Sequence, residues 1–77
     1  MLVSDTRPER LTPLERHTLE LFSTGMGRAE IAKRLNRSPK TISNTLTVAK
    51  EKLRAKSLAH AAALFIQASL LIQTPNG

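Results

Sequence analysis

Between Lys40 and Thr47 the chain places Lys40, Thr41, Ser43, Asn44 and Thr47, a cluster of hydrogen-bonding side chains with no carboxylate among them. Such a set suits the edge of a nucleic-acid base and its phosphates. Asn can pair both N6 and N7 of an adenine, hydroxyls serve several bases, and Lys meets phosphate oxygens. Arg28, Lys33, Arg34, Arg37, Lys50, Lys52 and Arg54 surround the cluster with positive charge. The charge is not spread along the chain: residues 26–56 carry nine Lys and Arg against two Glu, while residues 57–77 carry no charged side chain. A net charge of +6 points to a polyanion, either nucleic acid or an acidic membrane surface. A basic stretch is often only a solvated face, but here it is centred on two capped helices, which favours nucleic acid.

Other chemistries find little support. There is no cysteine, so there is no disulfide framework, and His17 and His60 lie too far apart in sequence to suggest a zinc site. The sole aspartate, Asp5, falls in the polar leader, which leaves a Ser-His-Asp triad without its acid. A chain of 77 residues holds one small core and no deep cleft, so neither an enzyme, a cofactor nor a small-molecule ligand is expected. The amino end mixes acids and arginines without an apolar run, so it is no signal or transit peptide and the expected location is cytoplasmic. Leu58 to Ile72 is apolar but shorter than the roughly 18 to 20 residues that span a bilayer.

The elements that must hold the cluster follow from start and stop signals. Thr12, Pro13 and Glu15 form a capping sequence, and Gly25 supplies a left-handed stop, predicting a first helix over 13–24 with Thr18, Leu19, Leu21 and Phe22 facing inward. Gly27 opens a second, short helix that ends near Leu35. Asn36 tolerates a left-handed turn, Ser38 caps and Pro39 takes the first helical position of a third helix reaching about Arg54. Its apolar residues Ile42, Leu46, Ala49 and Leu53 are spaced 4, 3 and 4, which is one helical face. Ser57 caps a fourth helix to about Gln73, and no run alternates as a strand would. The fold class is therefore all-α with four helices, residues 1–10 reading as a flexible leader or linker, 11–73 as the domain and 74–77 as a flexible tail.

Two helices joined by a tight turn, the second with a polar amino end, have the layout of a helix-turn-helix. The fourth helix is apolar on nearly every face, so one side can pack on the first three while another asks for a second copy. Ala61, Leu64, Phe65, Ala68 and Leu71 are the expected dimer contacts, the alternative being contact with a further domain. His60 reads as a residue near the cap or the interface, and His17 as exposed.

The run Leu11 to Leu71 resembles the LuxR/GerE-type DNA-binding domain of bacterial transcription regulators. The resemblance is carried by Leu11-Thr12-Pro13 with Glu15, Leu19 and Gly25, by Glu30-Ile31-Ala32 and Arg34-Leu35, and by Ser38, Lys40-Thr41-Ile42 and Asn44. Lys52-Leu53 and Lys56-Ser57 with Ala61 complete it. It implies a four-helix domain whose third helix reads DNA and whose fourth pairs two copies on an inverted repeat. By position it implies that Ser43, Asn44 and Thr47 face bases, while Lys33, Lys40, Thr41, Lys50 and Lys52 lie near phosphates. Leu14 stands where such domains usually have a basic residue, Thr18 where they have an aliphatic one, and Arg54 where they have glycine. Ser43 and Thr47 replace frequent Lys or Arg, which shifts base reading toward Asn44. Two other functions compete: a small anti-activator that pairs through helix four with a larger LuxR-type regulator, and a promoter reader like the carboxyl-terminal region of a sigma factor. The uncharged fourth helix counts against the latter.

Overall fold

The computed structural model describes residues 10–73, with side chains described as far as Ala68. Each helix starts where a side-chain oxygen or an extended residue ends the preceding turn. Thr12 is extended, its Oγ1 accepts from the Glu15 N–H at 3.1 Å, and Glu15 Oε1 accepts from the Thr12 N–H at 2.9 Å. This reciprocal cap opens α1, Pro13–Ser23. The Thr24 and Gly25 N–H groups then fold back on the Leu21 and Phe22 carbonyls, with Gly25 at φ +96°, where a Cβ would be strained. Helix α1 thus stops one residue short of the expected end, because Thr24 is the cap.

Helix α2, Arg28–Leu35, follows an extended Gly27 and ends at Asn36, whose φ of 58° is the left-handed stop expected of it. Helix α3, Pro39–Lys52, begins on Ser38, whose Oγ accepts from the Thr41 N–H at 3.1 Å. The sequence carried α3 to about residue 54, and here the structure corrects it. Arg54 turns left-handed at φ 57°, and the Ala55 N–H reaches back to the Lys50 carbonyl at 3.0 Å. A side chain at such a position costs about 1–2 kcal/mol relative to an ordinary conformation, which explains why glycine is the easier occupant. Helix α4, Leu58–Gln73, opens on Ser57, whose Oγ accepts from the His60 N–H at 3.0 Å. His60 Nδ1 in turn accepts from the Lys56 N–H at 3.0 Å, so His60 is part of the cap. No strand occurs among the described residues.

Packing follows the periodicity. Ile42, Leu46, Ala49 and Leu53 are all fully buried, joined by Leu19, Ile31 and Ala61 and, nearly as deep, Leu11, Ala32 and Phe65. Helix α1 lies across α3 and α4, and α2 packs on α3. Thr18 contributes its methyl to this core as expected, but its hydroxyl is also sealed in and finds no hydrogen-bond partner. A second link fastens α1 to α3 from outside the core: Lys52 Nζ donates to Glu15 Oε1 at 2.9 Å.

Candidate nucleic-acid interface

The amino end of α3 is set by its cap. Ser38 is held on both sides, accepting from the Thr41 N–H and donating to Thr41 Oγ1 at 3.0 Å, which fixes the direction in which the helix leaves the turn. With Ile42 and Leu46 turned into the core, helical geometry sends Lys40, Asn44 and Thr47 to the opposite side. All three are exposed, and so are Arg28, Lys33 and Arg37. Thr41 and Ser43 flank this face and are half-buried. Thr45, by contrast, faces inward, its hydroxyl donating to the Thr41 carbonyl at 2.7 Å. The leading end of α3 is therefore a projecting tip of hydrogen-bonding side chains, uncovered among the described residues.

Cations stand on α2 and at both ends of α3. Gly27 caps α2 without a side chain, so no side-chain oxygen competes for the amides of its first turn, and the helix dipole favours an anion nearby. Lys33 and Arg34 are exposed on α2 beside Ala29 and Glu30. Lys50 and Lys52 are half-buried rather than open, and they stand at the far end of α3. Lys52 is in addition committed to Glu15. Burial of the Glu15 carboxyl opposes its charge, but the Lys52 hydrogen bond, the Thr12 N–H, the Lys52 charge and the Thr12 hydroxyl outweigh burial and hold it below the usual carboxylate range. Lys52, expected near a phosphate, thus belongs first to the internal fastening of α1 to α3.

Val48 is a candidate contact that the sequence reading passed over. It is 39% exposed and lies one turn beyond Asn44, where an apolar side chain suits the methyl group of thymine. Its spacing of four from Asn44 is the signal that marks it.

Two of the five expected dimer contacts, Ala61 and Phe65, need correction. Ala61 and Phe65 are buried in the core of their own chain, because the side of α4 that carries them is the one lying on the other helices. Leu64 is half-buried and packed against that core, Ala68 is half-buried, and Leu71 lies outside the described side chains. The outward side of α4 presents Ala59, Ala63 and Ile66 instead, with Ile66 42% exposed.

A helix-turn-helix with a third helix projecting a polar, cation-flanked tip and a fourth helix closing the core defines a class of DNA-binding domain. The family model GerE, described as bacterial regulatory proteins of the luxR family, matches residues 9–65. The chain belongs to this family of DNA-binding regulators, which is not a family of enzymes. No curated protein and no solved structure matches it. Among the described residues, no helix is long and apolar enough to cross a membrane.

Proposed function

We propose that residues 11–73 form the reading unit of a sequence-specific transcription regulator that works in the bacterial cytoplasm as a homodimer on double-stranded DNA. The observation that carries this reading is the two-sided character of α3: the line Ile42, Leu46, Ala49 and Leu53 is sealed while Lys40, Asn44 and Thr47 are open. Asn44, with Ser43 and Thr47, reads base edges. Lys40, Thr41, Lys33, Arg28 and Arg37 hold phosphates, and Lys50 contributes from the side. Two copies meet through the ridge Ala59, Ala63 and Ile66, where small residues let helices approach closely and Ile66 gains cover.

Selection of bound duplexes from a random pool tests the reading. An enriched motif with two inverted half-sites, bound with an affinity that falls steeply with salt, is the expected result. Failure to enrich any motif, with no salt-sensitive binding, overturns it. Ser43 and Thr47, polar where charge would add affinity, favour a second reading in which α4 pairs with a larger regulator of the family and keeps it from DNA. Mixed dimers that lose DNA binding would establish that alternative.

A further inference from the structure

Among the described residues, two large apolar side chains are exposed, Val48 at 39% and Ile66 at 42%. Ile66 lies on the α4 ridge assigned above to pairing. Val48 stands instead on α3, where its neighbours Asn44, Thr47 and Glu51 are polar and exposed. A single exposed valine is commonplace on a protein surface. Its place on this helix is what gives it meaning: four residues turn an α-helix by about 400° and advance it by about 6 Å, so Val48 sits about 40° around from Asn44 and one turn further on. Base pairs follow one another at about 3.4 Å. With α3 lying along the groove and Asn44 on an adenine, Val48 is therefore carried over the next base pair or the one after it.

The chemistry of the side chain suits that position. Valine in a helix holds one χ1 rotamer in about nine of ten cases, so pressing its methyl groups on a base orders almost nothing that was free. Helix stability does not explain the residue, since alanine is the better helix former. The other positions assigned to bases, Ser43, Asn44 and Thr47, hold no Arg or Lys, the side chains that take guanine in a bidentate way. Hydroxyls serve several bases, so discrimination falls to Asn44 and to whatever reads a feature other than a hydrogen bond. In the major groove that feature is the C5-methyl group of thymine.

We propose that Val48 is a specificity-determining residue that packs on the C5-methyl group of a pyrimidine, one or two base pairs from the adenine taken by Asn44. This rests on the DNA-reading function proposed above. The group read is the methyl itself, which thymine and 5-methylcytosine present and uracil and cytosine lack. The test replaces each thymine of the selected duplex in turn by deoxyuridine and measures binding by wild type, V48S, V48A and T47S. Uracil keeps every hydrogen-bonding group of thymine, so each replacement deletes one methyl group only. At one position per half-site, one or two base pairs from the position whose preference N44A relaxes, wild type should lose about threefold to fivefold in affinity, the worth of one buried methyl group. V48S, matched to valine in helix propensity, should bind the thymine and uracil duplexes alike, and V48A, which keeps only the β-carbon, should fall between. At the same position wild type should bind 5-methylcytosine more tightly than cytosine, and V48S should not tell them apart. A sensitivity that persists undiminished in V48S and V48A, or no sensitive position at all, overturns the proposal. So does a sensitivity that T47S abolishes and V48S leaves, which would give the methyl group to Thr47. Wild-type protein that enriches no motif fails the DNA-reading function itself, a result separate from a selected duplex whose thymines can all be replaced without loss.

Discussion

At the leading end of α3, Lys40, Asn44 and Thr47 are exposed, and the backbone beneath them is fixed by the Ser38 cap. At its trailing end, Lys52 gives its ammonium group to Glu15, Arg54 adopts a left-handed turn, and Glu51 faces outward among the cations. Both ends hold lysines that look equivalent in the sequence. They differ in what each charge is already bonded to. A cation free of internal partners can exchange its water and counterions for a phosphate, whereas one in a hydrogen-bonded pair must first break that pair. On the proposed reading the leading end is open to a phosphate or a base, while at the trailing end Lys52 is engaged in holding α1 against α3.

Asn44→Ala tests the leading end most severely. Loss of a bidentate base contact is worth about 1–3 kcal/mol, so affinity for the selected duplex should fall by about 5-fold to 150-fold in binding titrations. Affinity for a scrambled duplex should hardly move. Equal losses on both would mean that this end binds phosphates and reads no base.

The two lysines can be set against each other next. Lys40→Ala should weaken both duplexes and make the log–log salt dependence shallower by about 0.9, with unfolding unaffected. Lys52→Met should leave the salt dependence nearly intact and lower stability by about 1 kcal/mol at neutral pH, the upper range for a pair this accessible to solvent. The sign of its pH dependence follows from Glu15, whose carboxyl is held below its ordinary value of 4.5 in the folded chain. A depressed acid stabilises the fold above the unfolded value and loses that contribution as pH falls through the folded one. Denaturant titrations should therefore show the gap between wild type and Lys52→Met closing under acid conditions. If Lys52→Met instead flattens the salt dependence as Lys40→Ala does, the two ends are not distinct.

The smallest effect on DNA binding lies in the core. Thr18→Val keeps the shape and removes a buried hydroxyl without a partner, and should raise stability by about 1 kcal/mol in the same titrations while leaving DNA affinity unchanged. It sharpens the contrast, because a polar group contributes only where it has a partner or is open to one.

Local chemistry was legible in the sequence. Thr12 with Glu15, Ser38 with Pro39, and Gly25 and Asn36 each satisfy or redirect backbone groups within a few residues, so they fix the helix ends without reference to the rest of the chain. The buried line of α3 was legible as well, since a 4, 3, 4 spacing of apolar residues among polar ones leaves one face for the core and by elimination one for the tip. Only the tertiary structure decided which side of α4 is inward. That helix is apolar nearly all round, so its pattern names no face, and packing on α1 and α3 took Ala61 and Phe65 and left Ala59, Ala63 and Ile66 outside. The same is true of Lys52: its partner is 37 positions away in sequence, and a charge count cannot say which cation a distant carboxylate will claim.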